Sequence, residues 1–117
     1  MESQTLTLKI KDNSYTVNYP TVGQRIKIES LKQQLTDGQY GNMSSSLLQT
    51  QWDALEQVDI IANFSVLIPQ LLRDTKVPID QLAVEDFEDI SQIYKDQFVP
   101  WYKAWNDLLK KRKDDAK

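Results

Sequence analysis

The sequence predicts an α+β fold, mostly α-helical, with an N-terminal β-hairpin followed by about four to five helices in one compact domain. Three observations carry this expectation. The first twenty residues alternate apolar and polar side chains with a period of two, the chain beyond Pro20 changes to steps of three and four, and 117 residues suffice for one modest core. The expected division is a hairpin over residues 1–20, a helical body over 21–112 and a charged, frayed tail over 113–117.

In the hairpin, Leu6, Leu8 and Ile10 alternate with Thr5, Thr7, Lys9 and Lys11. Asp12-Asn13-Ser14 is the turn cluster, and Tyr15, Val17 and Tyr19 resume the alternation until Pro20 ends it. An isolated hairpin is marginal in water, so it must lie on something. Thr21-Val22-Gly23-Gln24 then matches a capping box, with a hydroxyl at the cap and an amide side chain three residues on. Val22, Ile26, Leu31 and Leu35 are expected to form the apolar stripe of this first helix, and Thr36-Asp37-Gly38 to stop it. A loop from Gln39 to Met43 follows, and Ser44, Ser45 or Ser46 is expected to cap the next helix.

That helix is the longest expected element, from about Leu47 to about Leu72. Its first half is amphipathic through Leu48, Trp52 and Leu55, whereas its second half, from Ile60 to Ile68, is apolar nearly all round, as in an enclosed helix. Pro69 removes a backbone donor and should kink or restart it. After a polar connection and a turn or short helical piece at Pro78 to Leu82, the residues Val84, Phe87, Ile90, Tyr94 and Phe98 define another helix. Pro100 is expected to interrupt it, with a last helix resuming from Trp101 to Arg112.

Composition narrows the function. Hydrophobic content of 40% and charged content of 26% are those of a globular protein, and a net charge of −3 favours neither nucleic acid nor an anionic membrane. The chain has no cysteine and no histidine, which removes thiol chemistry, cysteine-ligated metals, the commonest zinc ligand and any serine–histidine pair. Met1-Glu2-Ser3-Gln4 is polar and resembles no signal peptide, and the apolar run from Ile60 to Leu72 is too short and interrupted to span a bilayer. The expectation is a non-enzymatic, cytoplasmic protein without cofactors.

Candidate chemistry is correspondingly sparse. Asp80, Glu85, Asp86, Glu88, Asp89 and Asp96 cluster without calcium-loop spacing, and four of them fall in the first turns of a helix, where the dipole favours negative charge. Gly38 and Gly41 frame a tyrosine but lack the lysine of a phosphate loop, and the serine run has no activating base. Asp59 and Asn63 lie four apart on the most apolar helix. They read either as a polar register or partner contact, or, the reading favoured, as a face that reaches solvent.

The densest feature is aromatic. Tyr94, Phe98, Trp101, Tyr102 and Trp105 fall within twelve positions around Pro100. They fill the core or contact another protein, since tyrosine and tryptophan serve both roles. With Pro100 dividing the block, Tyr94 and Phe98 read as core, Tyr102 and Trp105 as surface, and Trp101 as undecided.

The order of motifs resembles a known family. Tyr15-Thr16-Val17 leads to Tyr19-Pro20-Thr21-Val22-Gly23-Gln24, then to Ile28-Glu29-Ser30-Leu31-Lys32 and Leu35-Thr36-Asp37-Gly38-Gln39-Tyr40-Gly41. Val58-Asp59, Phe64-Ser65-Val66-Leu67-Ile68-Pro69 and Tyr94-Lys95-Asp96-Gln97-Phe98-Val99-Pro100-Trp101-Tyr102 follow. Together these are similar to small tail assembly chaperones of tailed bacteriophages, and the likeness covers most of the chain.

The resemblance implies a protein that acts during virion assembly in the cytoplasm of the infected host, binding the tape measure protein and recruiting tail tube subunits. No nucleic-acid or membrane partner is expected, from the charge balance and the short apolar run, and a homo-oligomer is possible. Carried onto this chain, the partner contacts would be Phe98, Trp101, Tyr102 and Trp105. The alternative is a small virion subunit, in the tail or connector, that oligomerises through the same aromatic block.

Overall fold

The computed structural model describes residues 5–10, 13–71 and 82–115. The architecture is α+β and mostly helical, with an N-terminal two-stranded antiparallel hairpin followed by helices. The chain divides into two compact units. The first unites the N-terminal hairpin with the C-terminal helix (Met1–Tyr19 and Val84–Lys117), and the second comprises Pro20–Ala83.

In the first unit, β1 (Thr5–Ile10) pairs with β2 (Asn13–Asn18) in the register Leu6 with Val17, Leu8 with Tyr15 and Ile10 with Asn13. Because side chains alternate across a strand, one face carries Leu8, Ile10, Tyr15 and Val17, all buried, and the other carries exposed Thr5, Thr7, Lys9, Ser14 and Thr16. Asn13 and Ser14 belong to β2 rather than to the turn, and Asp12 lies outside the described residues. β1 packs on α4 (Val84–Ile93), whose inner side carries Phe87 and Ile90; Val84, expected on that stripe, is exposed at the first turn.

The helix does not break at Pro100. α4 passes into one π-helical turn (Tyr94–Phe98), and α5 (Val99–Asp115) continues directly from it. Proline lacks an N–H and its ring collides with the carbonyl four residues back, here that of Asp96. The backbone meets this one turn upstream by switching to wider pairing, so that the Val99 N–H donates to the Tyr94 carbonyl, five residues back. The expected interruption is therefore replaced by a change of helical register. The helix also runs to Asp115, beyond the Arg112 end expected from the sequence.

In the second unit, α1 (Val22–Leu35) starts at the expected capping box: the Thr21 hydroxyl accepts from the Gln24 N–H at 3.2 Å and the Thr21 N–H donates to Gln24 Oε1 at 2.9 Å. It ends in a Schellman arrangement, with Gly38 N–H donating to the Gln33 carbonyl at 2.8 Å. Asp37 (φ 53°) and Gly38 (φ 79°) both take left-handed conformations there. The expected stripe does not form. From Val22 to Leu31 is nine residues, which at about 100° each is half a turn of the wheel. Val22 and Ile26 thus lie exposed opposite the side that carries buried Ile28 and half-buried Leu31 and Leu35.

The segment expected as a loop forms the short helix α2 (Tyr40–Ser44), and α3 spans Gln49–Leu67. The serines do not cap α3. The Ser44 and Ser45 hydroxyls donate back to the Gly41 carbonyl, the Ser46 hydroxyl accepts from the Leu48 N–H, and Leu48 occupies the cap position. Both α1 and α2 pack on α3, whose second half supplies the buried Ile60, Ala62, Phe64 and Leu67. Ile68 leaves the helix (φ −129°, ψ 70°), as a residue before proline tends to, and helical backbone resumes at Pro69, as expected. The connection from Arg73 and most of the Pro78 to Leu82 piece lie outside the described residues.

Candidate partner-binding site

The aromatic block of the first unit is built by helical spacing. Tyr94, Phe98 and Tyr102 lie four apart, and their rings stack in sequence, with centroids 5.0 and 5.4 Å apart and planes within 20° and 21°. Tyr19, at the end of the hairpin, adds the fourth ring, stacked on Tyr102 at 5.4 Å and 20°. Trp101 meets the Tyr19 ring edge-on at 6.2 Å, and Trp105 tilts against it at 5.9 Å. The Tyr19 hydroxyl donates to Asn106 Oδ1. Rings at these spacings contribute about 0.5–1.5 kcal/mol per pair beyond the area they bury.

This arrangement corrects the expected division of the block. Phe98 is 1% exposed, Trp101 6% and Trp105 3%, so Trp105 is a core residue rather than a surface one and Trp101 joins it. The π turn keeps Tyr94, Phe98 and Tyr102 in one column, which a break at Pro100 would have scattered. Tyr94 and Tyr102 are half-buried. Of the four residues singled out as partner contacts, Tyr102 alone keeps appreciable exposure, while Phe98, Trp101 and Trp105 pack within the unit. The sequence placed Tyr19 only on a strand; its partners lie more than eighty residues away, and its one local signal is the proline that follows, which biases it toward extended backbone.

The second unit carries a polar node. The Tyr40 hydroxyl donates to Asp59 Oδ1 at 2.7 Å, and Lys32 Nζ lies 3.6 Å from the same oxygen, 3.1 Å from Glu29 Oε1 and 5.2 Å from the centre of the Tyr40 ring. Asn63 is buried and donates to the Asp59 backbone carbonyl at 2.7 Å. The pair Asp59 and Asn63 is thus no solvent-facing stripe: one residue is buried, and the other joins α1, α2 and α3 through a shared carboxylate. A partly buried carboxylate needs such partners, because an unpaired charge inside is costly.

The same unit presents an apolar edge that includes Leu48 and Trp52, which the sequence places on the apolar side of the first half of this helix. Leu47 is 98% exposed, Leu48 63% and Trp52 54%. Leu48 is the cap residue of α3 and Trp52 lies in its first turn, and the Trp52 indole N–H donates to the Ser46 carbonyl, which holds the ring back over the turn that carries Leu47. Glu85, Asp86, Glu88 and Asp89 lie exposed on α4, as a solvated helix start requires, and Asp80 lies outside the described residues. Among the described residues, no group of three or more acidic side chains is placed to hold a metal ion, and no helix is long and apolar enough to cross a membrane.

No family model, no curated protein and no solved structure matches the chain.

Proposed function

We propose that the chain is a non-enzymatic phage assembly protein, a tail assembly chaperone that binds the tape measure protein and tail tube subunits in the host cytoplasm. The order of motifs from Tyr15 to Tyr102 suggests the family. The observation that carries the binding role is the exposed edge of Leu47, Leu48 and Trp52, a surface of the kind that takes up an amphipathic partner helix. Tryptophan is the residue type most enriched among energetically dominant contacts, and Trp52 offers its ring already fixed by a hydrogen bond. This reading moves the main partner contact from the C-terminal aromatic block, where packing occupies Phe98, Trp101 and Trp105, to the second unit, and leaves Tyr102 as a secondary contact.

The alternative of a virion subunit joined through the aromatic block has less support, since only the half-buried Tyr102 of its four residues offers surface. Co-expression with a tape measure protein, followed by mass spectrometry of purified particles, separates the two. A chaperone co-purifies with the tape measure protein and is absent from mature virions. Stoichiometric presence of this chain in virions overturns the proposal.

A further inference from the structure

We draw no further inference here: the strongest candidate, the exposed apolar edge of Leu47, Leu48 and Trp52 at the start of α3, carries nothing beyond the reading already given, because nothing in the structure shows what covers it.

Discussion

Trp101 and Trp105 in the first unit and Trp52 in the second show one residue type in opposite settings. The first two pack against the Tyr19 ring of the same unit and are almost fully removed from water. Trp52 keeps more than half its surface in solvent, and its indole N–H donates to the carbonyl of Ser46, six residues back. Of the dense aromatics near the C-terminus, Phe98, Trp101 and Trp105 are buried, and the Tyr19 ring at the end of the hairpin packs on Trp101, Tyr102 and Trp105. The exposed aromatic beside two exposed leucines is the surface on which the proposed partner binding rests.

Substitutions can break or sharpen this contrast. The largest effect is expected from Trp105→Ala, which should lower stability by about 3–5 kcal/mol in thermal or urea unfolding, as for other buried aromatic truncations. A loss under about 1 kcal/mol would place Trp105 at the surface and dissolve the contrast.

Next comes the polar node of the second unit. Asp59→Ala removes the acceptor of the Tyr40 hydroxyl and leaves the mostly buried Lys32 without its nearest α3 carboxylate, with an expected cost of about 1–3 kcal/mol by urea unfolding. Tyr40→Phe, which removes only the hydroxyl, should cost about 1 kcal/mol. If Asp59→Ala is neutral, the node is solvated and does not fix how α1, α2 and α3 meet.

Thr21→Ala deletes one arm of the capping box and should cost about 1 kcal/mol, with Thr21→Ser restoring most of it. The smallest effect is expected from Trp52→Ser, within about 0.5 kcal/mol of the parent because an exposed side chain gives up little on removal. A loss of several kcal/mol there would make Trp52 a core residue.

These elements also show what could be read from the chain before its fold was known. The capping box and the hairpin were legible because they depend on residues within a few positions of one another: a hydroxyl and an amide three apart, and an alternation that the strand pleat enforces. The restart at Pro69 followed from the missing N–H alone. The same rule did not hold at Pro100, where the helix kept its course by widening one turn upstream instead of ending.

The stripe of α1 misread its own geometry, joining Val22 and Ile26 to Leu31 and Leu35 across half a helical turn. At the start of α3, Leu48 and Trp52 have helical spacing in the sequence, but spacing cannot say whether anything packs on that side. For the site itself, the aromatic block was visible in the sequence and its burial was not, because burial depended on Tyr19 arriving from the far end of the chain.

The most direct test of the contrast compares capture of a co-expressed tape measure protein by two variants, Leu47→Ser with Leu48→Ser in the second unit and Tyr102→Ala in the first. The expected result is loss of capture in the leucine variant, with an unchanged melting temperature, and capture largely retained by Tyr102→Ala despite a lower one. Retained capture in the leucine variant together with its loss in Tyr102→Ala would contradict the account and return the binding site to the aromatic block.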